Sequence, residues 1–324
     1  MVVTLDSIKA PVKSELKKFE SFFKQSMRSQ VPLLDRITYY IVKSKGKQLR
    51  PVFVFLSSKM IGEINKSSFN AASFIEIIHT ASLVHDDVVD DSNIRRGFFS
   101  INAIWKNKIA VLVGDYLFSK GMLLAVDNEE YALLRIMSTT LKKLSEGELL
   151  QVEKARKLDI DEEVYFSIIE QKTAALISAA CASGAAAVSE DKALIQKMAD
   201  FGTKIGIAFQ IKDDLLDYGD ADIGKPRAID IKEKKMTLPI IYTLANTNRS
   251  EKRWIINTIK NHNTDKKRVR ELITRVHASG GIEYTKQKMN LYRDEALLML
   301  DSIQDSEAKT SMKDLVHFVI DRKK

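Results

Sequence analysis

The chain has 324 residues, of which 45% are hydrophobic, and it contains few glycines (13) and prolines (5). Its net charge is +8 and it has a single cysteine, Cys181. This composition excludes a disordered chain and a small disulfide-stabilised module, because a chain of this size buries enough apolar surface to fold without cross-links.

The charge and the apolar stretches narrow the class of protein further. Basic residues are spread along the chain without a nucleic-acid-binding motif, so no nucleic-acid partner is expected. The N-terminal segment interrupts its apolar residues with Asp6, Lys9 and Lys13, which is not typical of a signal peptide. The Ala-rich stretch Thr173–Val188 is shorter than the ~20 residues that a membrane span requires. We therefore expect a cytoplasmic protein.

Apolar residues recur at helical spacing along nearly the whole chain, and alternating β patterns are scarce. This predicts an all-α protein with one domain over residues 1–324, since no linker divides the chain. The predicted helices, in chain order, are 6–28, 32–44, 49–62, 68–91, 101–106, 109–126, 129–153, 160–187, 190–217, 235–246, 250–261, 266–277, 281–300 and 306–321. The long break at 218–234 contains glycine, proline and several basic residues, and is predicted to be a lid over a site.

Two clusters of aspartates are the features of the sequence that most clearly indicate a binding site. Asp86, Asp87 and Asp90 end the helix predicted at 68–91, and the same spacing returns in a second cluster, Asp213, Asp214 and Asp217. The first and last aspartate of each cluster lie one helical turn apart on one face. Carboxylates at that spacing repel each other, so a bound cation is expected, and Mg²⁺ is the natural oxygen-seeking candidate. A solvated acidic helix end is the alternative for either cluster alone.

Two pairs of cations stand out, one directly after the first cluster and one far upstream of it. Arg95 and Arg96 follow the first cluster, and Lys47 and Arg50 stand at a turn that leads into a helix. Arginine side chains and helix N-termini both suit phosphate oxygens. Each pair alone would be read as surface charge.

The ordered motifs resemble those of the trans-type polyprenyl diphosphate synthases. The resemblance covers nearly the whole chain and rests on GKQLRP, HTASLVHDDVVD, RRG, GDYLFS, EGELLQ, QKTA, FQIKDDLLD, GKP and EKKMTLP. It implies a helical bundle around a central cavity, a homodimer, and a transient contact with a membrane surface on product release. It also implies a head-to-tail prenyltransferase that joins isopentenyl diphosphate to an allylic prenyl diphosphate with Mg²⁺, three ions being expected once substrate is bound.

The resemblance also implies a role for each site residue. Asp86, Asp90 and Asp213 are the expected main metal ligands, supported by Asp87, Asp214 and Asp217. The residues expected to hold isopentenyl diphosphate are Lys47, Arg50, His79 and Arg96. Those expected around the allylic diphosphate are Arg95, Lys172, Thr173, Gln210, Lys225 and Lys235. His79 without the resemblance would be read as a core residue.

The resemblance implies a mechanism without a side-chain base. Metal ions and lysines neutralise the departing diphosphate, and the double bond of isopentenyl diphosphate attacks the resulting allylic cation. The released diphosphate then takes the proton. The chain departs from the family at Glu233-Lys234-Lys235, where a glycine usually precedes the last lysine, so the choice of Lys235 over Lys234 rests on its position before the TLP segment.

Alternative functions are weaker. A terpene cyclase would carry an Asn/Ser/Glu pattern in place of the second cluster, and a squalene-type synthase would carry DxxxD motifs. A non-catalytic regulatory partner would have lost both clusters and the arginine pair.

Small residues before the first cluster predict a long product. Ser82 lies about 6 Å below Asp86 on nearly the same helix face. Ala81 is placed beside a growing chain by the resemblance alone, since short-chain relatives are bulky at these positions. We expect seven or more isoprene units, which suits a quinone side-chain precursor, with a floor formed by Ile78, Leu133 or Met137. The alternatives are a short-chain farnesyl or geranylgeranyl diphosphate synthase, and small residues that serve only close helix packing.

Overall fold

Helices form almost all of the regular structure in the computed structural model, which describes residues 4–44, 46–95, 97–157, 160–219 and 228–321. The first part contains α1 (Leu5–Lys9), a 3₁₀ turn (Ala10–Val12), α2 (Lys13–Ser26), α3 (Pro32–Lys43), α4 (Leu49–Ile61), α5 (Lys66–Val89), β1 (Ile94–Arg95), β2 (Phe98–Phe99), α6 (Ile101–Asp127) and α7 (Tyr131–Lys157). The second part contains α8 (Glu162–Ile169), a π-helical turn (Glu170–Ala174), α9 (Ala175–Ala186), α10 (Lys192–Tyr218), α11 (Ile229–Lys232), α12 (Leu238–Ala245), α13 (Arg249–Asn261), α14 (Lys266–Ala278), α15 (Gly281–Met299) and α16 (Glu307–Ile320). The all-α prediction is confirmed.

The chain divides into two compact units. The first comprises Met1–Thr139, Leu176–Ala199 and Ser302–Leu315, and the second comprises Thr140–Ala175, Asp200–Asp301 and Val316–Lys324. The prediction of one domain over residues 1–324 stays a prediction.

The core of the first unit is built around α5, which packs along α4 and α6. At two positions in this core, a glycine lets a helix approach a neighbouring segment closely. A Cβ at Gly114 of α6 would lie 2.1 Å from Nε2 of His85, and a Cβ at Gly184 of α9 would lie 2.4 Å from the carbonyl oxygen of Val54. These close approaches bring apolar faces together without a gap. In the second unit, α12 packs against α15, α14 and α8.

The structure corrects three local predictions. The helix predicted at 6–28 is interrupted by the 3₁₀ turn at Pro11, and the helix predicted at 160–187 contains the π-helical turn. The separate helices 101–106 and 109–126 form one element, α6, with a kink at Lys106, whose backbone has φ 73° and ψ 159°. An antiparallel hairpin, in which Ile94 pairs with Phe99, follows the first aspartate cluster.

Candidate active site

The first aspartate cluster lies at the C-terminal end of α5. Asp86 and Asp87 belong to its last turn, and Asp90 caps the helix by donating its backbone N–H to the Asp86 carbonyl at 2.8 Å. No basic residue lies in that last turn. The negative end of the helix dipole adds to the repulsion among the three carboxylates, so the cluster is suited to a cation brought from elsewhere.

Asp87 is buried and pairs with Arg95 of the hairpin. Nε and Nη2 of Arg95 both lie 2.7 Å from Oδ1 of Asp87. Burial raises the pKa of Asp87, and the charge and hydrogen bond of Arg95 oppose that rise. The turn between the strands includes Gly97 in the left-handed region at φ 81°. Arg96 lies outside the described residues.

Residues predicted for isopentenyl diphosphate lie in the first unit. His79, on α5, is 7% exposed and lines a cavity of about 80 Å³ together with Glu76, Asp87 and Arg95. Arg50 lies in the first turn of α4, and Lys47 lies in the irregular segment that leads into it. That this cavity binds isopentenyl diphosphate stays a prediction.

The second aspartate cluster lies at the C-terminal end of α10. Both side-chain oxygens of Asp217 accept backbone hydrogen bonds, from Ile229 to Oδ1 and from Asp230 to Oδ2, each at 2.9 Å. The backbone N–H of Ala228 donates to the Asp217 carbonyl at 3.1 Å. Asp217 therefore anchors the start of α11 next to the end of α10.

Asp214 is buried and is held by two donors. Tyr165 Oη donates to its Oδ2 at 2.7 Å, and Gln210 Nε2 donates to its Oδ1 at 2.8 Å. Burial raises the pKa of Asp214 to about 7, with a further contribution from the nearby charge of Asp230. The two hydrogen bonds oppose the shift because they stabilise the ionised form.

The π-helical turn carries Lys172 and Thr173. It is held between two helices by glycines: a Cβ at Gly147 of α7 would lie 2.7 Å from Cβ of Gln171, and one at Gly206 of α10 would lie 2.4 Å from Cα of Ala174. Thr173 Oγ1 donates to Oε1 of Gln210 at 2.8 Å. Lys172 pairs with Glu148 at 2.5 Å. Single π turns inside helices occur frequently at functional sites.

These side chains meet in one cavity of the second unit. The cavity has a volume of about 190 Å³, and the predicted residues that line it are Lys172, Thr173, Gln210, Asp214 and Lys235. Its lining therefore combines carboxylates, amide and hydroxyl donors, and cations that lie far apart in the sequence. Lys225 lies outside the described residues, as do residues 220–227 of the predicted lid.

Asp230 is a lining residue that the sequence analysis missed. Burial raises its pKa to about 6, followed by repulsion from Asp217. Lys235 lies 2.6 Å from Oε2 of Glu233 and 4.0 Å from Oδ1 of Asp230. The available signal was weak, since Asp230 belongs to no repeated acidic motif and lies in a predominantly basic segment.

The residues predicted to set product length are mainly buried. Ala81 and Ile78 on α5 and Leu133 and Met137 on α7 are at most 1% exposed. Ser82 is half-buried and donates its hydroxyl to the His79 carbonyl at 2.9 Å. Their role in product length stays a prediction.

Two broader features of the described residues bear on function. None of their His, Cys, Asp and Glu side chains form a group of three or more arranged to hold a metal ion. The helix Ile101–Asp127 is long and apolar enough to cross a membrane by length and composition, with a third of its most apolar window buried. This helix, and not the shorter Ala-rich stretch Thr173–Val188, meets the length and composition of a membrane span among the described residues.

Comparison with known proteins decides the family. The sequence profile of the polyprenyl synthetase family matches residues 31–276. The chain belongs to the polyprenyl synthetase family. It is 35% identical to an all-trans-nonaprenyl-diphosphate synthase of Rhodobacter capsulatus, over 97% of each chain, and 33% identical to an octaprenyl diphosphate synthase of Escherichia coli, over 92% of this chain and 93% of the relative.

A solved structure supports the fold. A polyprenyl synthase of Caulobacter crescentus, crystallised with calcium and isoprenyl diphosphate, superposes with a TM-score of 0.90 at 29% identity, covering 100% of this chain and 99% of that one. The predicted resemblance, isoprenoid-synthase fold and prenyltransferase activity are confirmed: this synthase is a prenyltransferase. The prediction of a long product agrees with the nonaprenyl and octaprenyl relatives, although short-chain synthases are also among the relatives.

Proposed function

We propose that this synthase condenses isopentenyl diphosphate with an allylic prenyl diphosphate, head to tail, in repeated cycles that build a long-chain trans-polyprenyl diphosphate. The observation that carries the proposal is the cavity of the second unit, where Lys172, Gln210, Asp214 and Lys235 converge from α10, the π-helical turn and the segment before α12. This combination suits a diphosphate that binds together with divalent cations. The lysines would pair with the phosphate oxygens, and the carboxylates would pair with the cations.

The donor set fits Mg²⁺. Both clusters offer carboxylate oxygens, and a magnesium site commonly uses one or two of them together with substrate phosphates, so a preformed group of three ligands is not required. The crystallised Caulobacter synthase carries calcium, another oxygen-seeking ion. We assign Asp86, Asp90 and Asp213 as the main ligands. When bound, the ions would neutralise the charge that grows on the leaving diphosphate.

Residues of the chain bind the two substrates, stabilise the developing charge and exclude water. Lys172 and Lys235 bind the allylic diphosphate and stabilise its developing charge, while Thr173 and Gln210 donate hydrogen bonds around it. Lys47, Arg50 and His79 hold isopentenyl diphosphate so that its double bond faces the allylic carbon. Apolar walls exclude water, which would otherwise quench the cation. The proton leaves to the released diphosphate, so no side-chain base is needed.

The product is proposed to be long. Ala81 and Ser82 are small side chains below the first cluster on α5, which favours passage of a growing chain, and the alternative, a short-chain product, would require a larger side chain there. Small size at Ala81 would also suit simple helix packing, because Ala81 is fully buried.

We further propose that the synthase is a homodimer that pairs through α6. The exposed apolar residues of this helix include Val111, Leu112, Met122, Leu123 and Val126. At 100° per residue they fall within an arc of about 120°, so they form one continuous stripe. Leu112 and Leu123 are 55% and 57% exposed, and a partner would bury them. The homodimer predicts a mass near twice 36.7 kDa in light scattering, and Leu112→Lys/Leu123→Lys should give monomers. A monomeric unmodified protein would contradict the assignment.

Cytoplasmic location and a transient contact with a membrane surface on product release stay predictions.

One incubation tests the catalytic proposal. Purified protein is mixed with isopentenyl diphosphate, Mg²⁺ and each allylic primer in turn, and products are identified by mass. We expect a series of products ending at seven or more units, abolished by EDTA and slowed at least ~100-fold by Asp213→Ala. Undiminished synthesis in excess EDTA would exclude the metal assignment, and a main product of three or four units would favour the short-chain alternative.

A further inference from the structure

A buried tyrosine contacts the second aspartate cluster without belonging to any of the predicted motifs. Tyr165 lies on α8, is 4% exposed, and donates its hydroxyl to Oδ2 of Asp214 at 2.7 Å. The other oxygen of Asp214 accepts from Gln210 at 2.8 Å, and Gln210 in turn accepts from Thr173 at 2.8 Å. Each oxygen of Asp214 therefore has one side-chain donor, which fixes the plane of the carboxylate.

The network joins three separate elements around one cavity. Tyr165 comes from α8, Thr173 from the π-helical turn, and Gln210 and Asp214 from α10. All four residues line the cavity of the second unit. A shift of the π-helical turn would be transmitted to Asp214 through Gln210, so the lysine beside Thr173 and the acidic cluster keep a fixed spacing.

A buried carboxylate in this setting depends on its donors. Asp214 is 5% exposed and feels the charges of Asp230 and Asp213. A buried carboxylate that lacks hydrogen-bond donors tends to rotate toward water or another partner. Removing one donor leaves an unsatisfied buried oxygen.

We propose that Tyr165 is a positioning residue, which holds Asp214 in the orientation that the second cluster needs to bind a divalent cation together with diphosphate. This inference rests on the proposed function of that cluster. Groups that orient metal ligands typically change metal affinity about 10- to 100-fold when they are removed.

The chain offers a matched control for a purely structural role. Tyr284 also donates its hydroxyl to a carboxylate, Glu162, at 2.8 and 2.7 Å, and Glu162 lies on α8 with Tyr165. Neither Tyr284 nor Glu162 lines the cavity. Tyr284→Phe thus removes the same kind of bond from the same helix, outside the site.

The test uses binding as well as turnover. The full-length protein is titrated with Mg²⁺ at saturating inorganic diphosphate, and the rise in melting temperature gives the midpoint for Mg²⁺. We expect Tyr165→Phe to raise this midpoint about 10-fold or more. It should raise the KM for the allylic substrate and leave the KM for isopentenyl diphosphate unchanged. Tyr284→Phe should lower the melting temperature without moving the midpoint.

Two further variants separate the outcomes. Asp213→Ala should raise the Mg²⁺ midpoint at least as much as Tyr165→Phe does; if its midpoint is unchanged, the proposed function of the cluster fails. If Asp213→Ala behaves as expected but Tyr165→Phe keeps the unmodified midpoint, the positioning role alone is overturned. In an Asp214→Asn background, Tyr165→Phe should produce no additional shift, since both act through one carboxylate. An additive shift would overturn the route through Asp214. Should Tyr165→Phe not fold, the midpoint of Asp214→Asn alone decides, and an unchanged value overturns the proposal.

Discussion

The packing of the π-helical turn against α10 gives a prediction whose magnitude can be worked out. Replacing Gly206 by alanine adds a Cβ that would lie 2.4 Å from Cα and 2.6 Å from Cβ of Ala174. Ordinary contact begins near 3.4 Å, so the two segments must separate by about 1 Å. Overpacking of this kind costs ~1–3 kcal/mol, and the upper end applies because a backbone atom is struck.

Alanine also contributes a favourable helix propensity at this position. Gly206 lies inside α10, where alanine is favoured over glycine by ~1 kcal/mol. The net effect of Gly206→Ala is then a loss of about 2 kcal/mol. Scaled by the usual entropy of unfolding per residue, that loss lowers the melting temperature of a chain of 324 residues by about 3 °C.

The assay combines thermal unfolding with kinetics. Because the displaced turn carries Lys172 and Thr173, the KM for the allylic substrate should rise while that for isopentenyl diphosphate does not. Gly121→Ala is the control, since the nearest atoms to its added Cβ would be side-chain atoms of Ile78 and Phe74 at 3.1 Å, which can give way. A Gly206→Ala protein with unmodified melting temperature and allylic KM would refute this account of the turn.

Four other changes have defined outcomes. Asp213→Ala should lower kcat at least ~100-fold, as loss of a main electrostatic stabiliser does, with an unchanged circular dichroism spectrum; a loss under threefold would reject its role. Arg50→Ala should raise the KM for isopentenyl diphosphate about 10- to 100-fold, corresponding to a charge-assisted contact of ~1.5–3 kcal/mol, and a change confined to the allylic KM would show that the two sites are exchanged. Ala81→Phe/Ser82→Phe should remain active but shorten products toward three or four units by mass spectrometry; an unchanged long product would leave both residues to helix packing. Lys106→Gly should raise the free energy of unfolding by about 1 kcal/mol in urea titrations, since φ 73° and ψ 159° are essentially restricted to glycine, and no gain would mean that Lys106 is not strained.

The sequence predicted most helix positions closely, because apolar periodicity and the break residues are local signals. The helix predicted at 266–277 is Lys266–Ala278, and that at 49–62 is Leu49–Ile61. The 3₁₀ turn at Pro11 was also signalled locally and was overlooked. The π-helical turn has no such signal, because it depends on Gly147 and Gly206, which are distant in sequence.

The residues of the candidate site likewise fall into those with a local sequence signal and those without one. The aspartate motifs, Lys172, Gln210 and Lys235 follow from recognisable segments, and the described structure brings Asp214 together with these three residues. The roles of Tyr165 and Asp230 could not be predicted from sequence spacing, because each depends on burial beside another segment of the chain. The kink at Lys106 was equally hidden, since lysine does not signal a positive φ.

The hydrogen bonds of Asp217 have a consequence for how this synthase can vary. They tie the end of α10 to residues 228–230, so both ends of the intervening segment are fixed independently of its length. Lengthening a closed loop is inexpensive, at ~0.6 kcal/mol for each doubling. A change of length between 220 and 227 should therefore cost little folding free energy, so the constraint on this segment, which contains the GKP motif and Lys225, comes from substrate binding and not from stability.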